Sequence, residues 1–236
     1  MKTPFSLKAQ WPHLLAVVSF VILSVLYVSP VLDGKRLNQY DDVQARAASR
    51  EVMQYYEKTG EWPSWTNSMF SGMPNYLVNG HFPTSVSVYL GRGMNALLPS
   101  PANIFLLRLL SAYVLFLVLG ARAALAAFGA IAFTFASFNL ISIEAGHISK
   151  VIAIGYAPGV LAGVLLAFRK NWLGGAALTA LFLSLELYAN HVQITYYLGV
   201  GIAIYVMIES IALLKAGQTK QLAKILGGLA VAALIA

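Results

Sequence analysis

Apolar runs long enough to cross a bilayer recur along this chain, at about 11–32, 104–119, 123–143, 151–168, 172–189 and 192–214. A hydrocarbon core about 30 Å thick takes about 20 apolar residues per helical crossing, and no water inside it can satisfy an open backbone. Six such runs leave little of the 236 residues for a separate soluble domain. Composition agrees: 58% of residues are hydrophobic and 11% charged, with mean hydropathy +0.70, whereas soluble domains carry about 25% charged residues. The sequence predicts an all-α polytopic membrane protein, one membrane domain over 1–236, with six complete transmembrane helices. A seventh run opens at Ile225 and reaches Ala236, about 18 Å of helix, so a truncated seventh crossing is expected, as in the N-terminal part of a longer chain.

The net charge of +7 finds no basic cluster interleaved with aromatics, so no nucleic-acid partner is expected; the bilayer is the partner. With no cysteine, disulfides, thiolate nucleophiles and cysteine-held metals are excluded. Basic residues between the runs set the orientation, because Lys and Arg in short loops stay cytoplasmic. A cytoplasmic N-terminus gathers Lys2, Lys8, Arg122, Arg169, Lys170, Lys215, Lys220 and Lys224 inside and leaves Lys150 in a short outer turn. The 33–102 loop, the Glu144–Lys150 turn and the Asn190-His191 turn then share the extracytoplasmic face. The expected topology is that of a multi-pass membrane protein with a cytoplasmic N-terminus.

The 33–102 loop holds six of the nine acidic residues. A helix is expected from Asp41-Asp42 to about Lys58, stopped by Gly60, with Ala45, Ala48, Val52, Tyr55 and Tyr56 as its apolar stripe. Arg46, Arg50, Glu57 and Lys58 lie off that stripe, which suits an amphipathic helix in the membrane interface, anchored by Trp62 and Trp65. A second such helix is expected from Thr84, after Pro83, with Val86, Tyr89, Leu90, Met94 and Leu97 on one side. Between them, Asn67–Asn75 reads as an ordered turn, and no strand signal stands out.

Ionisable residues at the ends of crossings are costly to keep and so point to function. Here they are Glu144, His147, Lys150, Glu186 and His191, with Asn190 and Gln193 beside the last and Asp41 and Asp42 approaching the same face. A carboxylate helped by histidine suits general-base work on a hydroxyl, and Lys150, Arg46 or Arg50 suits a phosphate leaving group. Simpler roles exist for each. Asp41 with Gln44 resembles a capping box, Glu144 and Lys150 suit a surface ion pair, and His191 suits a hydrogen bond within the bundle. Arg108 is expected to snorkel outward or meet a loop acid. His13 and His81 read as surface residues. Adjacent aspartates also suggest a divalent metal, Mg²⁺ or Mn²⁺, although neighbouring helical side chains diverge.

Four segments carry a resemblance: Gln39-Tyr40-Asp41-Asp42-Val43-Gln44, Trp65 to Pro74, Glu144 to Lys150, and Glu186 to Tyr196. Together they resemble the N-terminal part of YfhO-family bacterial membrane proteins, over essentially the whole chain. The resemblance implies a longer protein of GT-C-like glycosyltransferase architecture that uses a polyprenyl-phosphate sugar donor and an acidic residue in the first extracytoplasmic loop. That acid falls on Asp41, with Asp42 where an apolar residue is expected, so either carboxylate remains a candidate base. Glu144, His147 and Lys150 would bind acceptor or leaving phosphate, and Glu186, Asn190, His191 and Gln193 the donor. The acceptor would be an envelope glycopolymer, glycolipid or protein. A transporter or flippase for an envelope precursor is the alternative, and it calls for broken helices, which the sequence does not reveal; a non-catalytic envelope scaffold is another.

Overall fold

The computed structural model describes residues 7–79, 86–169 and 171–236, so Lys2, His81, Pro83, Thr84 and Lys170 lie outside the described residues. Ten α-helices follow one another within them: α1 Leu7–Tyr27, α2 Tyr40–Thr59, α3 Val86–Ala96, α4 Ala102–Val118, α5 Ala123–Thr134, α6 Ser137–Ala145, α7 Ile148–Arg169, α8 Trp172–Tyr188, α9 Val192–Lys215 and α10 Thr219–Ile235. The all-α expectation holds, with one small addition. Residues of the expected ordered turn form two-residue strands, β1 Trp65–Thr66 and β2 Met73–Pro74, paired antiparallel.

The count of crossings is corrected. Among the described residues three helices are long and apolar enough to span a membrane, within α1, α7 and α9, and a fourth crossing is reached if α5 and α6 count as one. Those two are bent by 46° at Phe135-Ala136, so the 123–143 run is not one continuous helix. α4 and α8 have 17 residues each, about 25 Å of helix against a core of about 30 Å. The first run overshoots as well, because α1 stops at Tyr27 and Ser29–Asp33 winds into a 3₁₀ turn closed by Gly34 at φ 76°. α10 starts six residues before Ile225, at Thr219, and is 17 residues long. Apolar length alone misses these ends because hydrophobic residues continue through turns.

α4 lies at the centre, against α1, α3, α5 and α7, and α7 in turn packs on α6, α8, α9 and α10. Phe20 of α1, Leu109 and Tyr113 of α4, and Ala126 and Ala130 of α5 form one core cluster. His13, read as a surface residue, is half-buried with Nδ1 2.7 Å from the Tyr113 hydroxyl, tying α1 to α4. The α7–α8 seam is built on small residues that let backbones approach. A Cβ on Gly163 would lie 2.5 Å from the Thr179 nitrogen, while one on Gly175 would strike Ala167 and one on Gly159 the Phe182 ring. α9, with its 24 residues, buries none of them, and the outward face of α1 is also apolar. Apolar surface on this scale is what a bilayer covers, not what a water-soluble monomer exposes.

The long loop lies at the end of the bundle where α4 begins, called here the loop end. α2 runs as expected and closes on Gly60 at φ 74°, but it buries Val52 while Tyr55 and Tyr56 stay exposed. Its polar flank holds the loop down. The Glu51 carboxylate accepts bonds from the Asn67 backbone at 2.9 Å, the Asn67 side chain at 3.0 Å and Thr66 Oγ1 at 3.2 Å. Ser49 donates to Asn79, and buried Asn75 donates to the Pro63 carbonyl. Trp62 stacks on Tyr56. α3 turns Val88 inward and lays Gly91 against the Tyr188 ring, while Val86 and Tyr89 remain on the outer surface, as an apolar face directed at lipid would.

Candidate functional site

At the loop end, the first turn of α2 meets the turn between α6 and α7. The α6 chain stops because Gly146 takes a left-handed conformation, φ 89°, which a side chain would strain. A Cβ there would also lie 3.0 Å from Gln39 Cβ and 3.3 Å from Asp41 Cβ, so any other residue would push the two turns apart. Gln39 is buried and donates its amide to the Ile143 carbonyl. That contact fixes the start of α2. Asp41 Oδ2 then lies 2.7 Å from His147 Nδ1, both side chains nearly half exposed.

Asp41 is not a helix cap. Gln39 occupies the cap position without a side-chain cap bond, and Asp41 and Asp42 fall in the first turn. The two aspartates diverge as adjacent helical residues must: Asp42 pairs with Arg46, one turn on. The donor set therefore does not fit a divalent metal held between them, and among the described residues no group of three or more His, Asp or Glu side chains converges elsewhere. Glu144 is exposed, and the expected Glu144–Lys150 ion pair is replaced by Lys150 Nζ lying 4.8 Å from the centre of the Phe138 ring.

The Glu186–Gln193 segment forms a second cluster. Glu186 is fully buried near the end of α8 and accepts from Thr195 Oγ1 at 2.9 and 3.0 Å. Asn190 turns the chain at φ 53°, His191 precedes α9 with its Nδ1 buried and unpartnered, and Gln193 donates to the Tyr197 hydroxyl at 3.2 Å. Leu187, Asn190, His191, Val192, Thr195 and Tyr196 line a cavity of about 360 Å³. The two clusters share an end of the bundle but not a depth. α7 and α8 run antiparallel in a register that sets Gly163 against Thr179 and Tyr156 against Leu185. Glu186 is therefore level with Tyr156, about 13 Å along α7 from His147. Thr195, its partner, was not singled out by sequence; a hydroxyl nine residues on, across the turn into α9, carries no local signal.

Arg108 is corrected. It is fully buried in α4, reaching neither water nor a loop acid. Its Nη2 donates to Asn139 Oδ1, its guanidinium lies 5.9 Å from the Phe133 ring centre, and Nε and Nη1 have no partner. Asn139 in turn donates to the Phe133 carbonyl at 2.6 Å, one of the carbonyls that the α5–α6 break leaves without a helical partner. The sequence reading found no broken helix; this is one, and a buried cation sits against it.

No family model, curated protein or solved structure matches this chain.

Proposed function

We propose that the chain is a membrane glycosyltransferase that moves a sugar from a polyprenyl-phosphate-linked donor to an envelope glycopolymer, glycolipid or protein on the extracytoplasmic side of a bacterial inner membrane. The observation that carries this reading is the Asp41–His147 pair, accessible at the loop end and held by Gln39 and Gly146. The sugar chemistry comes from the resemblance to the YfhO family in the four segments. In this reading the N-terminus is cytoplasmic.

Asp41 accepts the proton of the acceptor hydroxyl as that oxygen attacks the anomeric carbon, and the donor phosphate leaves. His147 shares the proton through Nδ1 and keeps the carboxylate oriented. Asp42, already paired with Arg46, is the less suited base. Glu144 and Lys150 border the acceptor side; Glu186, Asn190, His191 and Gln193 shape the donor side. The test compares envelope glycans in cells with the wild-type gene, a deletion, Asp41→Asn and Asp42→Asn, at equal membrane protein levels. Loss of one sugar in the deletion and in Asp41→Asn supports the reading, and unchanged glycans in all strains sink it.

A second reading, a transporter or flippase for an envelope precursor, is favoured by the α5–α6 break against Arg108, since broken helices around a buried charge are how many transporters form their sites. It predicts that Arg108→Met stops precursor translocation while Asp41→Asn does not.

A further inference from the structure

At the loop end a cleft of about 450 Å³ opens between the 3₁₀ turn after α1, the start of α2 and the Pro99-Ser100-Pro101 approach to α4. Ligand pockets run from about 300 to 1,000 Å³. Three cations line this one, Lys35, Arg36 and Arg46, with a single carboxylate, Asp42. Asp42 is already paired with Arg46, and among the described residues no ion pair takes Lys35 or Arg36. Two positive charges therefore stand uncompensated in one concave site. We infer that this cleft binds a phosphate group, with Lys35 and Arg36 as its principal contacts.

The backbone that carries them is fixed before any ligand arrives. Gly34 donates to the Val31 carbonyl at 3.1 Å and Lys35 to the Pro30 carbonyl at 3.2 Å, and Gln39, also in the lining, is anchored on Ile143. The location is unusual for basic residues. In the proposed orientation Lys35 and Arg36 follow the first crossing on the outer side, where Lys and Arg near a span are disfavoured, so a ligand explains what topology does not. Lys150, the cation first expected to meet phosphate, is turned onto Phe138 instead. Gln39 and Asp42, on either side of Asp41 in sequence, line the cleft, whereas Asp41 and His147 do not. Only the argument from orientation rests on the proposed function; the two uncompensated cations do not.

The phosphate belongs either to a lipid or to a free anion, and the experiment separates these sources. The whole protein in nanodiscs is titrated with undecaprenyl phosphate, the neutral alcohol undecaprenol, phosphatidylglycerol and inorganic phosphate. Three forms are compared: wild type, Lys35→Ala/Arg36→Ala, and a control of equal charge loss, Lys220→Ala/Lys224→Ala. Losing two charge-assisted contacts should weaken the phosphate ligand at least about tenfold in the first double variant and leave it within about twofold in the control. The ligand that responds identifies the source, whether polyprenyl phosphate, phospholipid or free phosphate, and any of the three supports the site. Equal affinity for undecaprenol, no loss in the first double variant, or the same loss in the control overturns it. If the alanine variant fails to fold, Lys35→Gln/Arg36→Gln replaces it under the same criteria. Asp41→Asn is titrated alongside: retained binding together with unchanged glycans in cells would keep the phosphate site and discard the transferase.

Discussion

Arg108 allows a thermodynamic test whose result is worked from counted bonds. Asn139→Ala removes the charge-assisted bond from Arg108 and the amide's donation to the α5–α6 break, made to the Phe133 carbonyl at 2.6 Å and weakly to the Thr134 carbonyl at 3.4 Å. The first is worth roughly 1.5–3 kcal/mol and the second about 1 kcal/mol, so the single substitution should cost about 3 kcal/mol. In an Arg108→Met background the charged bond is already gone, and the same change should cost about 1 kcal/mol. The coupling between the two positions is then about 2 kcal/mol. Arg108→Met alone should lie within about 1 kcal/mol of wild type or be more stable, because it removes a buried cation whose Nε and Nη1 have no partner. Reversible unfolding in mixed micelles of the wild type, both single variants and the double variant measures all four corners. Additive costs, within about 0.5 kcal/mol, would refute the coupling. A loss above about 3 kcal/mol for Arg108→Met would mean that the guanidinium satisfies something other than Asn139.

Three further outcomes follow from the same geometry. Asp41→Asn and His147→Gln should each cost below about 1 kcal/mol in the same unfolding assay, since the pair is 43% and 47% exposed, while abolishing sugar transfer; a large stability loss would make the pair structural. Gly163→Ala, driven into the Thr179 backbone, should cost about 1–3 kcal/mol, whereas Gly199→Ala on α9, with nothing within 4 Å, should be neutral or slightly stabilising; equal effects would contradict the seam. The Glu51 carboxyl is held below its ordinary value of 4.5, first by the Asn67 side chain, then by the Asn67 backbone and Thr66, against a smaller opposing effect of desolvation. A carboxyl lowered on folding stabilises at pH above its unfolded value, and that contribution is lost as pH falls through the lower folded value. Hydrogen exchange of residues 65–79 should therefore accelerate as pH drops below 4.5, after correction for intrinsic rates, and Glu51→Gln should remove that step.

Much of this was legible because it depends on local pattern. Helix α2 and its Gly60 stop follow from stripe and cap, and the closeness of the loop to the Glu144–Lys150 turn follows from charge placement between runs. The partners within that surface were not legible. Asp41 and His147 are separated by more than a hundred residues, and the contact that aligns them depends on Gly146 adopting a left-handed turn against Gln39. Run length also overstated the number of spans, because Phe135-Ala136 is as apolar as its neighbours while the helix breaks there. The cue to that break was polar and single: Asn139, a side chain able to take up a freed carbonyl, four residues beyond it.

The same long-range packing explains how this fold keeps two buried ionisable groups without joining them. Leu107, Tyr156 and Leu185 meet in one cluster across α4, α7 and α8. Arg108 follows the first of these in sequence and Glu186 the last, so cation and carboxylate lie at one depth. Yet Arg108 bonds to Asn139 and Glu186 to Thr195, and no ion pair links them among the described residues. Each polar partner meets part of its group's hydrogen-bonding demand, and neither partner is a counter-ion. Burying a charge this way is costly unless a partner or a function compensates, and replacing both by apolar residues of similar volume would relieve the cost. If that replacement, Arg108→Met with Glu186→Leu, raises stability while either the glycan product or precursor translocation disappears, the two charges serve the reaction rather than the fold. If stability falls by several kcal/mol instead, the fold itself depends on them, and the small-residue α7–α8 seam is not by itself enough to hold α4 and α8 in place.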